Sequence, residues 1–131
     1  MLFRGLTCAM LLAMAGIAAH AQDIPQRKEA KRADLTGVPG NMEVITSITE
    51  YKKGERVIRH FHNGIEAAYI IQGTMIQRAG QGPSEQPTGM IVLNPRDLFH
   101  GDYVVVGDTP LRMFTVHVVD KGKPLYDTSV K

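Results

Sequence analysis

Turn signals cut the chain from Met42 onward into pieces too short for anything but strands. Lys53-Gly54, Asn63-Gly64, Gly80-Gln81-Gly82-Pro83, Asn94-Pro95, Gly107-Asp108 and Lys121-Gly122 separate strand-like runs at 42–49, 56–62, 67–72, 74–78, 90–93, 98–106 and 111–119. No window sustains a helical period, and evenly spaced short strands divided by Gly and Pro predict an all-β sandwich or barrel. The segment 79–88, AGQGPSEQPT, reads as a loop between two halves of the domain. No internal repeat or low-complexity tract interrupts this pattern.

The segment ahead of the domain has a different character. Residues 1–21 carry Arg4 in a short head, then an apolar run over 6–18, then Ala19-His20-Ala21. That is the layout of a secretory signal peptide, with cleavage expected before Gln22 and a periplasmic or secreted destination. The apolar run is too short to span a bilayer comfortably, so no membrane association is expected after cleavage. Cys8, the only cysteine, lies at the start of this leader, so the mature chain has neither disulfides nor thiolate ligands. Residues 22–40 are polar, with Arg27, Lys28, Lys31 and Arg32 close together, and read as a solvated arm. The barrel is then expected over 41–125 and a short tail over 126–131. The whole chain carries 15 basic and 13 acidic residues, of which the leader holds only Arg4. A near-neutral domain gives no electrostatic reason to expect nucleic acid as a partner.

Chemistry concentrates in residues 54–73, GERVIRHFHNGIEAAYIIQG. In a strand, His60 and His62 point to one face, about 7 Å apart at the backbone, which suits convergence on one ion. The turn at Asn63-Gly64 decides whether Glu66 joins them. A two-residue hairpin would send Glu66 to the opposite face. A three-residue loop with Gly64 left-handed would set His62 opposite Glu66 and Ala68 opposite His60. The second register is preferred, because it leaves no buried carboxylate without a partner. Single histidines and glutamates are usually surface or satisfied polar groups, so a metal site also needs a donor from another strand. His100, after the turn at Pro95 and within an apolar run, is that candidate.

The joint spacing resembles the cupin superfamily, in particular small single-domain exported cupins of type 2. Gly54, His60-x-His62, Glu66 and Gly73 stand as in the first cupin motif, and Gly89, Pro95 and His100 as in the second. Two positions depart from the second motif: Asp97 replaces the usual Gly and Val104 the usual Asn. Asp tolerates a left-handed backbone better than most residues, so the turn is expected to survive. Fifteen residues, 74–88, separate the motifs, at the compact end of the family. The resemblance implies a single antiparallel jelly-roll barrel, often dimeric, with a divalent metal in its mouth. Carried over position by position, the ligands are His60, His62, Glu66 and His100.

Three imidazoles and one carboxylate suit Fe, Mn, Ni, Zn or Cu better than Ca or Mg. Four protein ligands leave an octahedral ion two adjacent open positions, for water, dioxygen or a bidentate diol, enediol or hydroxy acid. The net positive charge of such a site favours anionic ligands. Candidate catalytic residues are Glu66, Asp102, which shares strand parity with His100, and His117, if its face of the run 111–119 points inward. The expected function is dioxygenase-like chemistry on an enediol, phenolic or hydroxy-acid small molecule. The alternatives are a cupin isomerase, lyase or decarboxylase, and a non-catalytic metal- or ligand-binding cupin. Val57, Phe61, Tyr69 and Ile71 are expected on an apolar outer face that a homodimer partner, or the arm before Gly37, would cover.

Overall fold

Strict alternation of buried and exposed residues organises the longest strands, as a two-residue repeat requires when one face is packed and the other wet. The computed structural model describes residues 23–130, with no helix among them. Nine strands follow in chain order: β1 (Arg27–Leu35), β2 (Met42–Tyr51), β3 (Arg56–Val57), β4 (Gly64–Gln72), β5 (Thr74–Arg78), β6 (Ser84–Gln86), β7 (Ile91–Asn94), β8 (Tyr103–Val105) and β9 (Leu111–Asp120). They form a five-stranded sheet, β1-β2-β9-β4-β7, and a four-stranded sheet, β3-β8-β5-β6. Every pairing is antiparallel. The result is the expected all-β jelly-roll. No helix of the described residues is long and apolar enough to cross a membrane. The leader at 1–21 lies outside the described residues.

Two apolar clusters line the interior. Tyr51, Val57, Ile70, Ile76, Tyr103, Val105 and Leu111 form the larger, and Ile45, Val119, Leu125 and Tyr126 the smaller. The register shows what lies beside them. On β9, His117 stands opposite Glu66 of β4, and Thr115 opposite Ala68. Ser47, Thr49, Glu66, Thr115 and His117 are all buried, so polar side chains share the interior with the two clusters, both of which Ile24 touches.

Several local expectations are corrected. Residues 22–40 are not simply a solvated arm: Arg27–Leu35 pairs along β2 as an edge strand. Its side chains are almost all exposed, and a strand that faces water on both sides carries no apolar alternation to reveal it. An exception is Arg27, which reaches Ser47 Oγ at 2.7 Å and is neutralised by Asp23 at 2.6 Å. The 79–88 loop contains β6, which pairs with β5. The tail is anchored, since Leu125 and Tyr126 are buried and Phe61 bridges Asp127.

The expected hairpin across Asn63-Gly64 does not form. Its first arm is strand only at Arg56–Val57, which pairs with β8, whereas β4 pairs with β7 and β9 in the other sheet. Glu66 therefore faces His117 and Asn94 rather than His62, and Ala68 faces Thr115 and Val92 rather than His60. Gly64 is not left-handed; it is needed for proximity, because a Cβ there would sit 2.1 Å from the Val118 carbonyl oxygen. Val57 and Phe61 are buried, which removes them from the expected outer face; Tyr69 and Ile71 are exposed as expected.

Candidate metal centre

The chain crosses between sheets at His60–Asn63, and this crossing gives the histidines their positions. His60 bridges His100 by paired main-chain hydrogen bonds, and Phe61 bridges Asp127 in the same way. Consecutive bridges in opposite directions bury all three of His60, Phe61 and His62. The turn that delivers His100 uses Asp97 at φ 66°, so the left-handed turn expected there survives with Asp in place. Asp97 N–H then donates to the His62 carbonyl.

Each of the three imidazoles donates from Nδ1 to a main-chain carbonyl. His60 bonds Ile58 O at 2.7 Å, His62 bonds Leu125 O at 2.5 Å and His100 bonds Leu98 O at 3.0 Å. A carbonyl can only accept, so each Nδ1 carries a proton and each ring, in its neutral form, presents a bare Nε2 lone pair. The ring centroids lie 4.3–4.8 Å apart. His62 Nε2 and His100 Nε2 are only 3.1 Å apart. Two acceptors that close repel unless a proton or a cation sits between them. The carboxylate tightens this requirement: Glu66 Oε2 is 3.3 Å from His62 Nε2 and 3.4 Å from His100 Nε2. The donor set thus fits a divalent transition metal. Donor atoms of His60, His62 and His100 lie within 4.8 Å of one another, as do those of His62, Glu66 and His117.

His117 is completely buried and faces inward, so the strand parity that sequence left open places it in the cluster. Its Nε2 is 3.4 Å from Glu66 Oε1, and neither ring nitrogen has an aligned hydrogen-bond partner among the described residues. Asp102 is not brought in. Gly101 and Asp102 both adopt positive φ, 80° and 60°, which breaks the strand parity assumed over 98–106. The Asp102 carboxylate instead pairs with Arg56 at 2.6 Å on the surface.

Sequence reasoning missed other contributors. Asn94, read only as turn punctuation, donates from Nδ2 to Glu66 Oε2 at 2.6 Å and orients the carboxylate. Tyr51, Tyr103 and Tyr126 line the cavity beside the cluster, as does Arg78. This cavity has a volume of about 180 Å³, far more than one water molecule needs. Burial raises all three phenols, Tyr103 to about 12, so they stay neutral. The only signal for Tyr126 was an aromatic within the last few residues.

Burial pushes His60 down to about 4 and also lowers His117. Burial alone would raise Glu66, but a proton on the facing nitrogen of His100, His117 or His62 outweighs it and holds the carboxyl well below its usual range. These shifts share one sign. An unfolded His60 takes up its proton near 6.5, the folded one only near 4, so the unfolded chain binds more protons between those values. Stability of the metal-free protein is therefore full above about pH 6.5 and falls towards pH 4, by up to about 3 kcal/mol from His60 alone. Glu66 adds a loss in the same direction below its ordinary value of 4.5. Urea midpoints at about pH 7.5 and about pH 5 check this; an equal or higher midpoint at the lower pH contradicts it.

The sequence profile of the ChrR cupin-like domain matches residues 17–119. No curated protein matches the chain. Among solved structures, the polyketide cyclase RemF from Streptomyces resistomycificus is 21% identical with a TM-score of 0.52, over 82% of this chain and 76% of its own. An uncharacterized double-stranded β-helix protein from Klebsiella pneumoniae is 14% identical with a TM-score of 0.50, over 85% and 91% respectively. A cupin domain from Bordetella pertussis is 13% identical with a TM-score of 0.46, over 70% and 96%. At these identities the likeness concerns the fold.

Proposed function

This chain belongs to the ChrR cupin-like domain family, and from that we propose that it holds one divalent transition metal on His60, His62, Glu66 and His100 and binds a small molecule beside it. The supporting observation is the common tautomer: three Nδ1–H groups fixed by carbonyls leave three Nε2 lone pairs converging next to one carboxylate. A bound Fe, Mn, Ni, Zn or Cu ion would supply Lewis acidity and open positions for a bidentate ligand. The protein's part is to hold those rings in place, orient Glu66 through Asn94, and exclude bulk water with Tyr51, Tyr103 and Tyr126. His117, against Glu66, is placed to hold or release a proton there.

Within this reading, dioxygenase-like chemistry on an enediol, phenolic or hydroxy-acid substrate is preferred. A non-catalytic metal- or ligand-binding role is the second reading, favoured by the outward position of Asp102, which leaves Glu66 and His117 as the remaining acid–base candidates. Oxygen uptake by Fe(II)-loaded protein across catechols, enediols and hydroxy acids separates them. Uptake that disappears in His117→Ala supports catalysis. Full metal loading without uptake on any member supports the binding role.

Export directed by residues 1–21 belongs to the same proposal, and a mature N-terminus at Gln22 is the expected result of mass spectrometry on the native protein; retention of the leader contradicts it. Self-association belongs to it as well, now through a revised surface. Ile65, Tyr69, Ile91, Leu93 and Phe114 are exposed on the outer side of the five-stranded sheet, whose edge strand is β7. The N-terminal strand cannot cover them, since β1 lies at the other edge. An apolar sheet face of this kind favours a second copy. Light scattering is expected to give a dimer that Leu93→Lys dissociates; a wild-type monomer at micromolar concentration contradicts the proposal.

A further inference from the structure

The cavity contains a cation that no carboxylate among the described residues neutralises. Arg78 ends β5 and shares the inward parity of the buried Thr74 and Ile76. It lines the cavity together with His60, Glu66 and His100. It stands opposite Tyr103 in the β5–β8 register, with its guanidinium 5.2 Å from that ring's centroid. Arg27, Arg32, Arg56, Arg96 and Arg112 each meet a carboxylate. Arg59, exposed, rests on Phe99. Arg78 has no carboxylate within ion-pair distance among the described residues. The acid on the cavity wall is Glu66, whose oxygens already face His62, His100, His117 and Asn94.

A half-buried guanidinium gives up hydration that only an anionic partner restores fully, and its planar fork suits a carboxylate. Resting on the metal-centred reading above, we propose that Arg78 is the specificity-determining anchor of this cavity. It selects small molecules that bear a carboxylate at one end and a metal-chelating diol or phenol at the other. Tyr103 supports the guanidinium from one side, and Gln86, also on the cavity wall, adds an amide for hydrogen bonding. The preference for anions is thereby assigned to a residue separate from the histidine cluster.

Anaerobic calorimetry on Zn(II)-loaded protein, comparing catechol with 3,4-dihydroxybenzoate, tests this. The carboxylated probe is expected to bind wild type at least about tenfold more tightly, as one charge-assisted hydrogen-bonded pair provides. In Arg78→Met the ratio of the two affinities should collapse towards one, and in Arg78→Lys it should fall between. A wild type without preference, a wild type that binds neither probe, or an Arg78→Met variant that keeps the ratio overturns the proposal. If affinities prove independent of zinc, the metal-centred reading fails while the Arg78 question stays open to measurement. Benzoate against benzyl alcohol, on the protein as purified, then decides it: a preference lost in Arg78→Met upholds the anchor, and no preference overturns it.

Discussion

Replacing His62 with alanine is expected to reduce bound metal from about one ion per chain to below about a tenth, in protein purified without a histidine tag. His62 belongs to both groups of converging donors, with His60 and His100 on one side and Glu66 and His117 on the other. Its loss therefore damages every arrangement of ligands these residues offer. Stability provides a second readout. A ligand bound only by the folded state stabilises it by about 4 kcal/mol when present at about 1,000 times its Kd. Chelation should accordingly lower the melting temperature of wild type and leave that of His62→Ala unchanged. Equal metal content in both proteins, or equal sensitivity to chelator, contradicts the assignment. The substitution also empties space in a fully buried position, so metal-free His62→Ala should itself be less stable than metal-free wild type.

Truncation after Pro124 is the second large effect. The final stretch packs Leu125 and Tyr126 against Ile45 and Val119, and the Leu125 carbonyl receives the hydrogen bond from His62 Nδ1–H. Tyr126 lies 4.8 Å from His60 and 5.5 Å from His62, ring to ring. Removing the stretch loses both apolar burial and the acceptor that fixes the His62 tautomer. Leu125→Ala loses burial alone and should cost about 2–4 kcal/mol with little change in metal affinity. The truncated chain should be less stable than Leu125→Ala and bind metal about 10–100-fold more weakly, as the loss of a partner behind a ligand does. Urea denaturation and competitive chelator titration measure the two effects. A truncated protein with unaltered metal affinity would show that the tail covers the site without organising it.

How much of this could be read from sequence depends on whether a feature is local. The turns and short runs gave the all-β class, and the spacing of His60, His62, Glu66 and His100 identified residues that do converge, although the hairpin invoked to bring Glu66 in does not exist. Glu66 arrives from the opposite sheet, because Gly64 lets β4 pass close to β9. Two independent routes to one juxtaposition explain why the ligands were legible while their register was not. Asp102 failed because strand parity was extended across Gly101, where positive φ resets it. His117 and Arg78 are inward-facing only by virtue of which sheet their strands join, and a single sequence does not state that. β1 escaped notice for the opposite reason: a solvated edge strand has no buried face to impose alternation.

The central claim is that one metal ion sits among these imidazoles. Anomalous diffraction at the metal absorption edge, from crystals of the untagged native protein, tests it most directly. The expected result is a single peak about 2.0–2.2 Å from Nε2 of His60, His62 and His100 and from an oxygen of Glu66. A map with no peak inside the barrel, or with metal only on the protein surface, would contradict it.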